Sequence, residues 1–163
     1  MDWFFAKKEA RDRAHEIMKK WEGTPYHHMG ADRAGMDCTK LMGKIMIDLG
    51  TLKQLIPDLY YTKDWYIHGD KEVVLNTFEE HLRLYQVEGF ELKKYHYTHG
   101  KSVLLFGDFL GFAIGKKGLV NHTAFYLNSK QMYHVINKST AQVYQYSKTW
   151  ESRLKIYYRI FRK

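Results

Sequence analysis

The chain holds one cysteine, Cys38, in the run Gly35-Met36-Asp37-Cys38-Thr39-Lys40-Leu41, twelve residues after Gly23-Thr24-Pro25-Tyr26. A lone thiol cannot close an internal disulfide or supply a multi-cysteine metal site. It follows a glycine-bearing loop and precedes the apolar-periodic residues Leu41, Met42, Ile45, Met46 and Leu49, which places the sulfur at the start of a helix. Backbone N–H groups and the helix dipole favour a thiolate there, the usual starting point for cysteine nucleophilic catalysis. The expectation is a thiol pKa well below the ~8.5 of a free cysteine.

Such a nucleophile needs a base, usually histidine, and that histidine needs a partner to orient it. Nine histidines are present, and one hairpin narrows the choice. His122 to Leu127 and Gln131 to Asn137 alternate like strands around Asn128-Ser129-Lys130. With a three-residue turn, Leu127 pairs with Gln131, Ala124 faces His134, and His122 faces Ile136. His122 and His134 are then diagonal neighbours on one face, about 7 Å apart at the backbone. A turn one residue shorter or longer would split them across the two faces. Spacing alone also admits two unrelated strand histidines, one in the core and one exposed.

The elements that must position these groups fall in a simple order. Residues 3 to 21 form a helix with Phe4, Phe5, Ala14, Ile17, Met18 and Trp21 roughly on one face, ended by Glu22-Gly23-Thr24-Pro25. A loop covers 26 to 37, and a second helix runs from Cys38 to Leu49, capped by Gly50. Residues 51 to 69 are irregular, and 70 to 85 are helical on the stripe Val74, Phe78, Leu82 and Tyr85. Residues 86 to 100 are polar and carry no clear period. Strand signals then take over: Ser102 to Phe106 as a short buried strand closed by Gly107-Asp108, Phe109 to Ile114 continuing it, a turn at Gly115-Lys116-Lys117-Gly118, the histidine hairpin, Gln142 to Tyr146, and Lys155 to Phe161. Helices first and strands later predict an α+β fold, N-terminal helices packed on a central antiparallel sheet. No linker divides the chain, so residues 1–163 read as one domain with a helical insert at about 51–100.

Composition bounds the rest. At 163 residues, 45% hydrophobic and 27% charged, the chain is ordinary globular material. No apolar run approaches the ~20 residues that span a bilayer, and the N-terminus lacks the apolar stretch of a secretory signal. A net charge of +8 draws the protein to polyanions, but no helix-turn-helix, zinc-finger or RNA-recognition signature supports specific nucleic-acid binding. Thirteen tyrosines and four tryptophans serve core and hairpin packing or a carbohydrate- or peptide-contacting groove. Tyr26-His27-His28 and His96-Tyr97-Thr98-His99 are solvated loop histidines, because adjacent histidines on an extended loop point apart; no metal and no cofactor is expected. Asp64, Asp70, Glu79 and Glu80 read as a solvated helix face rather than an acid–base pair.

Taken together, Gly23-Thr24-Pro25-Tyr26 … Asp37-Cys38-Thr39-Lys40-Leu41 and Asn121-His122-Thr123-Ala124-Phe125-Tyr126-Leu127 … Met132-Tyr133-His134 resemble the NlpC-type cell-wall peptidases, papain-like cysteine enzymes. That family typically shows Gly-Thr-Pro-Tyr, then Asp-Cys-Ser-Gly-Leu, then a His-Val-Gly-Ile-Tyr-Leu … Ile-His-Ala hairpin. The order Cys, His, His and the twelve-residue step between the histidines both fit. The resemblance implies a papain-like fold and a cysteine peptidase that hydrolyses peptidoglycan stem peptides at the D-γ-glutamyl–diamino acid bond. It casts Cys38 as nucleophile, His122 as base, His134 as its orienting partner, and the Cys38 N–H with the Tyr26 hydroxyl as oxyanion donors. Asp37 would bind the free amine of the stem peptide, with Thr39 and Lys40 beside it in the substrate site. Thr39-Lys40 in place of Ser-Gly, and Thr123-Ala124 in place of Val-Gly, alter the surroundings of the nucleophile and of the base. The segment Tyr60 to Leu82, with Trp65, resembles the phage-tail and gene-transfer-agent branch. That likeness implies tail proteins as further partners, and a virion-borne enzyme or one delivered to the cell envelope after synthesis in the cytoplasm. A non-lytic assembly module, or an amidase or acyltransferase using the same triad, stay open as alternatives.

Overall fold

The computed structural model of the chain describes residues 1–57, 62, 65, 71–115 and 118–163. Strand β1 (Asp2–Trp3) leads through a 3-10 turn (Phe4–Ala6) into helix α1 (Lys8–Trp21). A small antiparallel pair, β2 (Ala31–Asp32) and β3 (Gly35–Met36), precedes helix α2 (Cys38–Asp48). Helix α3 (Val73–Tyr85) is followed by strands β4 (Phe90–His96), β5 (Phe109–Phe112), β6 (His122–Asn128), β7 (Gln131–His134) and β8 (Gln142–Gln145), a four-residue helix α4 (Lys148–Glu151), and strand β9 (Leu154–Arg162). The sheet runs β1-β9-β5-β6-β7-β8 with β4 also paired to β9, every pairing antiparallel. The architecture is α+β, as the order of sequence periods predicts.

The helices form because each carries an apolar face that the sheet can cover. In α1, Ala14, Ile17, Met18 and Trp21 are buried at helical spacing, and in α2 Leu41, Met42, Ile45 and Met46 are fully buried. These side chains share one core with Phe125, Leu127, Tyr133, Ile156, Tyr158 and Ile160 of the sheet. The opposite face of the sheet carries a second cluster, with Leu110, Phe112, Ala124, Tyr126, Met132, Leu154 and Tyr157. Polar ties fix the helices. Asp48 accepts from both Trp21 Nε1 (2.8 Å) and Lys20 Nζ (2.9 Å), and the Tyr133 hydroxyl donates to the Met18 carbonyl (2.9 Å). Buried Asp108 is bound bidentately by Arg159 at 2.8 Å through both Nε and Nη2. Gly107, at φ 86°, turns the chain into β5 with the Phe5 ring pressed against it; a Cβ there would sit 2.1 Å from the ring.

Four expectations are corrected. The helix expected over residues 3 to 21 begins only at Lys8, after β1 and the 3-10 turn that seats Phe4 and Phe5 in the core. Ser102 to Phe106 is irregular chain, not a buried strand: Val103 is 69% exposed, and pairing begins only at Phe109. Residues 86 to 100 contain β4, paired along its whole length with β9. Its alternation is hidden because Lys93 and Lys94 are adjacent and both reach solvent from an edge strand, where charged side chains are tolerated on either face. The hairpin turn is tighter than three residues. Asn128 pairs with Gln131, and the register then slips between Tyr126 and Asn128 so that Tyr126 faces Met132 and Phe125 faces Tyr133. Leu127 is the extra residue of a bulge.

The helical stripe Val74, Phe78 and Leu82 packs into the core. Glu79 and Glu80 are engaged by Lys94 and Arg83 on the surface, whereas Asp64 and Asp70 lie outside the described residues. So do most of Tyr60 to Tyr66 and the tip of the turn at Lys116-Lys117. Among the described residues no helix is long and apolar enough to cross a membrane.

Candidate active site

Asp37 makes the start of α2. Its carboxylate accepts the Lys40 N–H at 2.7 Å, satisfying a donor that the first helical turn leaves without a partner. Cys38 is therefore the first residue of the helix. It is buried, with 8% of its surface exposed, and that part faces a cleft of about 250 Å³. Tyr26, Asp37, Thr39 and His122 line the same cleft. Among the described residues, the rest of its wall is set by His28, Trp65, Val74, Ile114, Asn121, Ile136 and Asn137.

His122 opens β6 and His134 closes β7, so the hairpin delivers both to one end of the sheet. His122 Nε2 lies 2.6 Å from His134 Nδ1, with the rings at 72°. One imidazole N–H donates to the other's lone pair. If His122 is the donor, its Nδ1 keeps a lone pair with which to accept a proton. The pair is walled by aromatic rings: Trp150 lies 5.4 Å from each imidazole, Phe112 6.1 Å from His122, and Tyr144 4.5 Å from His134. Both histidines are nearly inaccessible, at 4% and 1% exposure.

Burial governs the protonation states. It pushes the Cys38 thiol up to about 11, and the Asp37 carboxylate adds to the rise; the Thr123 N–H and hydroxyl, with the Thr39 hydroxyl, act against it. Burial, then the neighbouring His134, holds His122 well below the ordinary histidine value, and burial brings His134 down to about 4. These directions oppose the preformed thiolate that the helix position suggests. Both shifts favour a neutral thiol beside a neutral imidazole at rest.

The candidate residues Tyr26, Asp37, Cys38, Thr39 and His122 thus meet in one cleft, with His134 behind His122. Lys40 does not line it: the residue is buried on α2 at 6% exposure. His28, expected as a solvated loop residue, lies in the cleft wall. Among the described residues no three His, Cys, Asp or Glu side chains converge as a metal site. Sequence reasoning missed Trp150, Tyr144, Ile114 and Asn121. Asn121 holds Ile114 in the wall by a reciprocal pair, accepting from its N–H at 2.8 Å and donating to its carbonyl at 2.6 Å. Its place beside His122 was the one available signal; the aromatic wall has none, since it converges from separate strands and α4.

The sequence profile of the NlpC/P60 family matches residues 23–159, from the turn after α1 to near the end of β9. No curated protein matches the chain. Among solved structures, one similar to a lipoprotein of the NLP/P60 family from Staphylococcus aureus subsp. aureus Mu50 superposes with a TM-score of 0.60 at 17% identity, over 96% of this chain and 43% of that one. An NlpC/P60 family protein from Bacillus cereus ATCC 10987 gives 0.56 at 17% identity, over 90% and 38%. This chain therefore spans less than half the length of either. The NlpC/p60 domain of the peptidoglycan hydrolase SagA gives 0.50 at 20% identity, over 90% of this chain and 95% of that domain. At these identities the structures speak for the fold, and the profile, covering most of the chain, speaks for descent: the protein belongs to the NlpC/P60 family.

Proposed function

We propose that this protein is a cysteine peptidase of the bacterial cell wall, hydrolysing peptidoglycan stem peptides at the D-γ-glutamyl–diamino acid bond. One observation carries the reading: a single buried thiol at a helix start shares a cleft with an imidazole whose far nitrogen is held, at 2.6 Å, by a second imidazole. Family membership supports the same class of reaction.

The chemistry follows from the neutral resting pair. As the Cys38 sulfur attacks the amide carbon, its proton passes to His122 Nδ1, and the new imidazolium keeps its Nε2–H on the His134 lone pair. The tetrahedral oxyanion is received by the Cys38 N–H and the Tyr26 hydroxyl. His122 returns the proton to the departing amine, leaving a thioester. Water, deprotonated by His122, then releases the acyl group and restores the thiol. Asp37 puts a carboxylate into the cleft next to the nucleophile, which suits a substrate with a free cationic amine. Thr39 lines the cleft beside it.

Digestion of free stem tripeptides and tetrapeptides and of purified peptidoglycan fragments, read by mass spectrometry, tests the proposal. A cut between D-glutamate and the diamino acid, lost by about 10⁴-fold or more in Cys38→Ala, is expected. Undiminished activity in Cys38→Ala would remove the nucleophile. An acyl group delivered to an acceptor other than water would move the protein to the transferases.

A further inference from the structure

Thr123 follows the base on β6. Side chains alternate along a strand: Ala124 and Tyr126 belong to one cluster of the sheet, and Phe125 and Leu127 to the core under α1 and α2. Thr123 falls on the α2 side, where Cys38 begins the helix. The residue is 7% exposed, and its Oγ1 is buried without a hydrogen-bond partner among the described residues. Most of its other surroundings are apolar, including Met42, Leu75, Phe78 and Phe109. Buried hydroxyls are nearly always satisfied, so one that is not needs an explanation.

The neighbour able to supply it is Cys38, toward which both the N–H and the hydroxyl of Thr123 act. A neutral thiol is a poor acceptor, and a thiolate is a strong one. We infer that the Thr123 hydroxyl is a hydrogen-bond donor reserved for the Cys38 thiolate, a bond that forms as the thiol gives its proton to His122. The hydroxyl keeps its own proton throughout; only its hydrogen bond changes. Thr39 Oγ1, 3.9 Å from the sulfur, is a second hydroxyl beside it. The arrangement answers a need specific to this site, because a sulfur so deeply buried has little water to solvate its charge. The role rests on the reading of Cys38 as nucleophile.

The single thiol makes the test clean. Alkylation of wild type, Thr123→Val and Thr123→Ser by iodoacetamide is followed across pH, with thermal melting of each. Asp37, Tyr26, His28 and His122, the titratable groups that share the cleft with the sulfur, are the same in all three. T123V is expected to alkylate about tenfold more slowly at every pH below the wild-type midpoint, and T123S within about twofold of wild type. T123V is also expected to melt no lower than wild type, since valine is isosteric and brings no unpaired hydroxyl. A T123V titration that superimposes on wild type overturns the inference, whatever its melting temperature. Should T123V fail to fold, T123A is set against T123S instead: slower alkylation of T123A is then the expected result, and superimposed titrations overturn the inference. Because alkylation needs no substrate, a failed peptidase assay and a failed inference are separate results.

Discussion

At Cys38 two effects compete. The N-terminus of α2 favours a negative charge by about 0.3–1 kcal/mol, rising toward about 2 kcal/mol in buried geometry. Burial beside the Asp37 carboxylate raises the thiol from 9.0 to about 11, which corresponds to roughly 3 kcal/mol against the thiolate. Burial wins. The expected outcome is a Cys38 alkylation midpoint above the ~8.5 of a free thiol, and a midpoint below it would establish a standing thiolate–imidazolium pair. In the proposed mechanism, proton transfer to His122 then belongs to the attack itself, so His122→Ala should lower kcat by about 10²–10⁴-fold, measured on the same stem peptides with Cys38 intact. The candidate nucleophile was legible in the sequence because a lone cysteine at a helix start is a local pattern. Its protonation state was not, since desolvation depends on everything packed around the sulfur.

The elements decide whether the two histidines meet. The turn closes between Asn128 and Gln131, one residue tighter than the three-residue turn that aligns His122 with His134. Without compensation, that change would have put the imidazoles on opposite faces. The bulge at Leu127 inserts the missing residue and restores the alignment. The expected neighbours were thus reached through a different turn, and no sequence pattern announces a bulge with leucine as the extra residue. Helix α4 is equally silent in the sequence, yet it sets Trp150 5.4 Å from both rings, and the Tyr97 hydroxyl and His99 reach Glu151 at its end. Since burial is what lowers His134, Trp150→Ala should bring its pKa back up toward the ordinary histidine value, read by nitrogen-detected NMR titration. It should also cut kcat by about tenfold through a wetter, looser imidazole pair. An unmoved His134 titration would show that Trp150 is not what keeps the pair dry.

For the whole molecule the buried imidazoles set the response to acid. His122, His134 and His81 are all held below the ordinary histidine value, in each case chiefly by burial. In the unfolded chain they take up protons near pH ~6.5; in the folded chain His134 does so only at about 4. Between those values the unfolded state binds more protons, so stability rises with pH and falls as pH drops through the window. His134 alone should contribute a loss of about 2 kcal/mol on going from neutrality to about pH 5. Denaturant titrations should show that decline, and His134→Gln should flatten it; a decline unchanged in that variant would place the acid sensitivity elsewhere.

What depends on neighbours along the chain could be read from the residues alone. The apolar faces of α1 and α2, the strands from Phe109 onward and the family motifs are all short-range patterns, and they were enough for the α+β class and the candidate residues. Tertiary structure decided what depends on distant segments meeting. It paired β4 with β9, left Ser102 to Phe106 unpaired, drew His28 into the cleft and kept Lys40 out of it, and closed aromatic rings over the histidines. It also set the charge states, because the free energy of a charge follows the water and dipoles around it in space, and those are fixed only when the chain has folded.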